Sequence, residues 1–155
     1  PRCLAMFAKS SNFGGNGPVA ANQSSWAYGI PRVSLGNVSV GSRRLLHSQS
    51  GRGKLLFLGA YKTSGAGTVR FEVIIDGRTV LDVSRTSSGS YQCLTLLGNT
   101  ANGVVEGNAN ASIEGYGYPD PSGPEFRRSL ELYVTPTAGG FNSGDFFGFA
   151  TRCEA

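Results

Sequence analysis

The clearest alternation of apolar and polar residues runs through positions 68–85. Every second residue of its first half is a large apolar one: Val69, Phe71, Val73 and Ile75. This is the period of a strand with one buried face. The Asp76-Gly77 pair that follows readily adopts the positive φ angles of a tight turn. The pattern therefore predicts two antiparallel strands joined at Asp76-Gly77.

Shorter stretches of the same kind predict further strands. They are rich in apolar or β-branched residues and bounded by Gly, Asn or Ser, and they cover residues 32–40, 54–63, 91–97 and 130–135, a weaker pair in 104–114, and the aromatic close around 146–149. The link 41–53 is polar and Gly-rich, with Leu45 and Leu46 indicating a short strand. Seven to nine strands with such turns predict an all-β protein, an antiparallel β-sandwich of jelly-roll type first and a barrel second.

The hairpin is expected in the middle of one sheet, with 54–63 and 91–97 as its neighbours. Its outward row, Arg70, Glu72 and Ile74, mixes charges with an apolar residue. We therefore expect this face to be half covered by a neighbouring subunit or by the N-terminal segment.

Residues 1–30 differ from the rest because positions 10–25 have almost no β-branched or charged side chains. They are predicted to form an N-terminal arm or long loop, and residues 31–155 a single β-sandwich domain. Phe13, Trp26 and Tyr28 in the arm, with Arg43 and Arg44 after it, form a candidate subunit interface. Packing of the arm on its own domain is the alternative.

Composition limits the partners. Charged residues make up 15% of the chain, against about 25% in an average soluble domain, and the net charge is only +4. The basic residues are scattered apart from Arg43-Arg44 and Arg127-Arg128, whereas nucleic-acid binders concentrate them on one face. Direct nucleic-acid binding is not expected, and neither is a membrane span, because no apolar run approaches 18 residues.

The three cysteines, Cys3, Cys93 and Cys153, lie too far apart in sequence for a CxxC metal or redox motif. A single bridge between the two termini is possible. The odd number nevertheless favours free thiols and assembly in a reducing compartment.

No catalytic motif or cofactor site is found. His47 is the only histidine, lies in a loop-like context and is expected at the surface. Glu72, Asp76 and Asp82 could supply a carboxylate pair for glycoside hydrolysis, although Asp76 is needed for the turn. Glu114, Asp120 and Glu125 surround a proline-rich loop but match no calcium-binding spacing. We predict no enzyme, no metal and no cofactor.

Exposed aromatic residues suggest a different class of function. Flat rings stack on sugar faces, and Trp26, Tyr116 and Tyr118 are candidate glycan contacts. The alternative for the two tyrosines is packing of their loop against the sheet.

Three segments together resemble virion structural proteins of tailed bacteriophages. They are GRGKLLFLGAYKTSGAGTVRFEVIIDGRTVLD, PEFRRSLELYV and the Gly/Phe-rich close, and they cover about half of the chain. The resemblance implies a jelly-roll building block of the capsid decoration (cement) or small tail class, assembled in the host bacterial cytoplasm. It also implies a homo-oligomer, a dimer or trimer, that contacts other virion proteins. A carbohydrate-binding module for host or glycan recognition remains the alternative.

Overall fold

The computed structural model describes residues 33–63, 65–90, 92–97, 99–100, 103–104, 108–110 and 123–154. These residues contain strands, turns and irregular segments, and none of them is helical. The strands, in chain order, are β1 (Arg44–Ser50), β2 (Arg52–Lys62), β3 (Gly67–Ile75), β4 (Arg78–Ser87), β5 (Gln92–Leu97), β6 (Asn99–Thr100), β7 (Gly103–Val104), β8 (Asn108–Asn110), β9 (Glu125–Phe126), β10 (Ser129–Ala138) and β11 (Phe146–Glu154).

Two antiparallel sheets contain all of these strands except the short pair β6 and β7. The first sheet has the order β1-β10-β3-β4. The second sheet has the order β11-β2-β5-β8, and β9 pairs with β2. The prediction of an all-β fold is therefore confirmed for the described residues.

The Asp-Gly hairpin forms as predicted, as β3 and β4. Asp76 and Gly77 both have positive φ angles, of 51° and 82°, which is the backbone geometry that this pair tolerates. Strand β10 confirms the predicted alternation in 130–135, because Leu130, Leu132 and Val134 are fully buried. Strands β2, β5 and β11 confirm the predictions for 54–63, 91–97 and the aromatic close.

The strand predicted for residues 32–40 is wrong. Only isolated bridges form there, from Val33 to Phe147 and from Val38 to Phe141. Gly36 adopts a φ of 67° between the two bridges, which interrupts the extended conformation. The regular strand comes one segment later, as β1, in the polar stretch where a short strand was only indicated.

The predicted neighbours of the hairpin are also wrong. Strand β3 lies between β10 and β4, whereas β2 and β5 pair with each other in the second sheet. Strand β10 begins more than fifty residues after β3 ends, so alternation within each strand could not indicate their pairing.

One hydrophobic core lies between the two sheets. Phe71, Val73 and Leu132 of the first sheet and Leu58, Leu94 and Phe147 of the second belong to a single buried cluster. Burial of each such side chain contributes about 1.5–3 kcal/mol to folding. The core therefore fixes the two sheets face to face.

The second sheet is buried on its other face as well. Directly paired residues share a face, and the pairs Phe146–Tyr61 and Ala150–Phe57 alternate with the core-facing pairs Phe147–Ala60 and Phe149–Leu58. Phe57, Tyr61, Phe146 and Ala150 are nevertheless only 0–7% exposed. Strands β2 and β11 therefore differ from β4, whose residues are mostly exposed or half-buried.

Candidate functional site: the outer face of the first sheet

The face of the first sheet that points away from the core carries three of the five ion pairs found among the described residues. Strand pairing aligns Leu45, Tyr133, Glu72 and Asp82 in one row across all four strands. Arg70 lies in the adjacent row, opposite Thr135 and Ser84. We call this surface the outer face.

Arg43, in the segment just before β1, covers the centre of the outer face. Its guanidinium carbon lies 3.4 Å from the centre of the Tyr133 ring, in cation–π geometry. Its Nε donates a hydrogen bond to Oε2 of Glu72 at 2.8 Å. This hydrogen bond is the main reason why the pKa of Arg43 is raised. The guanidinium is thus held flat between a ring and a carboxylate.

Arg70 extends this pairing toward the edge strand β4. Its Nε and Nη2 both donate to the Asp82 carboxylate, each at 2.6 Å, in a bidentate arrangement. Its Nη2 also lies 3.8 Å from Oε1 of Glu72. The hydrogen bond with Arg70 lowers the pKa of Asp82, and the same bond raises the pKa of Arg70. Glu72 is therefore shared between two arginines.

Tyr133 connects the arginine pairs to a further acid. Its hydroxyl donates to Oε2 of Glu131, two positions earlier on β10, at 2.9 Å. The carboxylates of Glu72 and Asp82, considered above for glycoside hydrolysis, are both held by arginine in this arrangement.

Exposed apolar side chains lie on the two outermost strands of the first sheet. Leu45 on β1 is 49% exposed and lies beside Tyr133 in the row described above. Val80 on β4 is 46% exposed and lies where the pairing with β3 shifts register. A third exposed residue, Val40, belongs to the turn before β1 and not to any of the four strands.

His47 does not lie in a surface loop, so that expectation is wrong. It belongs to β1, where a register irregularity after Leu45 places it opposite core-facing Leu132. Its ring stacks on Phe149 of the second sheet, with centroids 4.2 Å apart, and its Nε2 lies 2.7 Å from Oε1 of Gln49. Burial lowers the pKa of His47, against a smaller opposing effect of the Gln49 hydrogen bond. The imidazole therefore packs between the two sheets.

A buried ion pair at the end of β2 was not predicted from the sequence. Lys62 Nζ lies 3.0 Å from Oδ2 of Asp145, and both side chains are almost completely buried. Lys62 also donates to the carbonyl of Gly140 at 2.8 Å. Asp145 accepts hydrogen bonds from the Thr63 amide, the Thr63 hydroxyl and the Asn142 amide. Each oxygen of the Asp145 carboxylate thus accepts two hydrogen bonds. Because Lys62 and Thr63 lie at the end of β2, these bonds hold the segment before β11 against β2.

Asp76 has a second role beyond the turn. Its carboxylate accepts hydrogen bonds from the backbone amides of Arg127, Arg128 and Ser129. These bonds, the one from Ser129 first, lower the pKa of Asp76. The β3–β4 turn is thereby joined to the start of β10.

The structure describes only part of the predicted site residues. Of the candidate interface, Arg43 and Arg44 are described: Arg43 is bound to Glu72, and Arg44 begins β1 with an exposed side chain. The remaining candidates lie outside the described residues: Phe13, Trp26, Tyr28, Tyr116 and Tyr118. Glu114 and Asp120 also lie outside them, whereas Glu125 pairs with Lys54 at 3.1 Å.

Within the described ranges, no three histidine, cysteine or acidic side chains are grouped so that they could hold a metal ion. The same part of the chain contains no helix long and apolar enough to cross a membrane. One finding corrects the expectation of free thiols, because Cys153 is disulfide-bonded.

The comparisons with known proteins found no matching family model, no similar curated protein and no similar solved structure.

Proposed function

We propose that this chain is a non-enzymatic structural subunit that associates with copies of itself through the outer face of the first sheet. The observation that carries the proposal is the combination of a preorganised charge network with exposed Leu45 and Val80 on the same sheet. Because the arginines are already fixed by Glu72 and Asp82, little side-chain freedom is lost when another surface docks there.

A second copy of the chain is the partner that this surface fits. A two-fold contact requires one surface to be complementary to itself. The outer face carries arginines and carboxylates in adjacent rows, and exposed apolar side chains lie on the two outermost strands of the same sheet. Rotation of a second copy can therefore place basic groups against acidic ones and Leu45 or Val80 against an apolar neighbour.

The class of assembly follows from the resemblance to phage virion proteins. We propose a capsid decoration or small tail protein, with the two sheets arranged as a jelly-roll sandwich that attaches to other virion subunits. Exposed polar edges and a rigid core suit a building block of this kind. Co-sedimentation of a tagged chain with particles from a producing bacterial culture tests this assignment, and recovery of the chain only at the top of the gradient contradicts it.

The self-association is tested by light scattering coupled to size-exclusion chromatography over a range of concentrations. We expect a dimer for the unchanged chain, as a two-fold contact produces, and a monomer for Leu45→Glu or Val80→Glu. Loss of one buried aliphatic contact weakens association by about 10- to 100-fold, from about 1.5–3 kcal/mol of lost burial. Val40→Glu is the matched control, since it places the same charge at an equally exposed position outside the four strands.

Two results would overturn the proposal. One is a monomeric unchanged chain at every concentration. The other is equal dissociation by Val40→Glu and Val80→Glu, because the contact would then not be located on the outer face.

The carbohydrate-binding alternative stays a prediction for Trp26, Tyr116 and Tyr118. On the outer face, Arg43 already covers one side of the Tyr133 ring, which is where a sugar would stack. No described contact therefore favours sugar binding over subunit contact.

A further inference from the structure

The outer side of the second sheet is apolar and buried, which requires something to cover it. Phe57, Tyr61 and Phe146 lie on that side, opposite the core-facing row, and are at most 7% exposed. Phe146 and Tyr61 contact each other, with ring centroids 4.9 Å apart, but one ring contact cannot remove both side chains from solvent. The first sheet packs against the opposite, core side of this sheet, and the short pair β6–β7 belongs to neither sheet.

The N-terminal segment, residues 1–32, joins the described chain at the edge of this sheet. Val33 forms a two-way backbone bridge to Phe147 on β11, with N–O distances of 2.7 and 2.8 Å. The chain that precedes Val33 therefore starts beside β11.

The disulfide of Cys153 supplies a second attachment near the other end of β11. The chain has three cysteines, so the partner of Cys153 is Cys93 or Cys3. Cys93 pairs with Tyr61 and Cys153 pairs with Gly53, eight positions apart along β2. Eight positions of a strand span about 26 Å, whereas the Cα atoms of a disulfide lie within about 7 Å. Strand register excludes Cys93.

We propose that residues 1–32 cover the outer side of the second sheet and are fastened there by a disulfide between Cys3 and Cys153. The distance is easily spanned, because Phe147 and Cys153 are six positions apart on β11, about 20 Å, while thirty extended residues reach about 100 Å. The segment also brings apolar side chains suited to such a face, including Phe7, Phe13 and Trp26.

The disulfide requires an oxidant. The two thiols lose two protons and two electrons, and the acceptor is a second disulfide, on a thiol–disulfide oxidoreductase or a low-molecular-weight disulfide, which is reduced to two thiols. Since a reducing cytoplasm opposes this exchange, the bond is expected to form after the chain has left that compartment. This inference does not depend on the proposed function.

Peptide mapping tests the bond directly. The full chain is alkylated without reduction and digested with trypsin, which cleaves after Arg2, Lys9 and Arg152. We expect residues 3–9 linked to residues 153–155, and an alkylated Cys93 in the peptide that begins at Thr86. Cys93→Ser should keep the linked peptide and Cys3→Ser should lose it. A linked peptide that contains Cys93, or a disulfide between two chains, would overturn the assignment.

The covering segment is tested with a photo-reactive methionine. The chain contains one methionine, Met6, so a diazirine analogue is incorporated at that position alone. We expect cross-links within one chain from position 6 to the tryptic peptide 55–62 of β2, and mixing of isotopically light and heavy chains separates these from links between chains. Cross-links that reach only the peptide 86–127, or only another chain, would show that residues 1–32 do not cover this face.

Discussion

Asp145→Asn removes the charge that balances the buried ammonium group of Lys62. In the folded protein, Lys62 is 3% exposed and Asp145 is fully buried, so water does not replace the lost partner. The asparagine keeps the size of the side chain but offers one acceptor oxygen, where the carboxylate oxygens accept four hydrogen bonds. We expect the folded state to lose more stability than the removal of an ordinary hydrogen bond would cost.

The magnitude follows from the burial of both groups. Leaving one member of a buried ion pair without its partner costs about 3–5 kcal/mol. For a domain of this size, each 1 kcal/mol lowers the melting temperature by about 2–4 °C, which gives a decrease of about 6–20 °C. With a urea dependence near 2 kcal/mol per molar, the unfolding midpoint falls by about 1.5–2.5 M.

Urea and thermal unfolding, followed by circular dichroism without reductant, measure this change. Glu125→Gln is the matched control, because Glu125 forms a similar 3.1 Å ion pair with Lys54 at the surface, where such pairs contribute about 0–1 kcal/mol. The double variant Lys62→Met/Asp145→Asn should be more stable than Asp145→Asn alone, since no buried charge is left unpaired. A loss below 1 kcal/mol for Asp145→Asn, or additive losses in the double variant, would refute the reasoning.

Two further predictions concern pH. The imidazole of His47, the only one in the chain, should titrate by NMR below pH 6.5, because burial lowers its pKa. Its contribution to the stability of the fold is then complete above pH 6.5 and declines below it. A titration midpoint at or above pH 6.5 would contradict this prediction. Asp76→Asn should destabilise the fold at pH 7, because the ionised carboxylate accepts hydrogen bonds from three backbone amides. Because the pKa of Asp76 is lowered in the folded protein, this stabilisation is present above the pKa of the unfolded state, near 3.8, and is lost as the pH falls. Equal unfolding midpoints for Asp76→Asn and the unchanged chain at pH 7 would be inconsistent with that role.

Local pattern was sufficient to predict most strands but not their partners. Strand β10 shows clean alternation, and the Asp-Gly turn between β3 and β4 depends on two adjacent residues. For strand β1 the pattern gave only a weak indication, because its sequence, RLLHSQS, is mostly polar. The strand lies at the edge of the first sheet, where polar side chains can face solvent. Which strands pair depends on contacts between residues distant in sequence, and one chain gives no signal for them.

The charged clusters show the same limit. Lys62 and Asp145 are 83 positions apart, and Arg43 and Glu72 are 29 apart, so neither pair is visible as a local motif. A signal for the first pair did exist. Lys62 ends β2 after an uncharged, mostly apolar run at 55–61, and Asp145 directly precedes an aromatic strand. A charge at the end of a buried strand needs a buried partner, which is a usable clue even without a structure.

Hydroxyl-radical footprinting of the assembled protein tests the central claim, association through the outer face, most directly. The oxidation rates of Leu45, Val80 and Val40 are compared between the oligomer and the monomeric Leu45→Glu or Val80→Glu variant, each variant being read at the two unchanged positions. We predict that Leu45 and Val80 are protected several-fold in the oligomer, whereas Val40, exposed to a similar extent, is oxidised at the same rate in both. Equal oxidation of Leu45 and Val80 in oligomer and monomer would contradict the account.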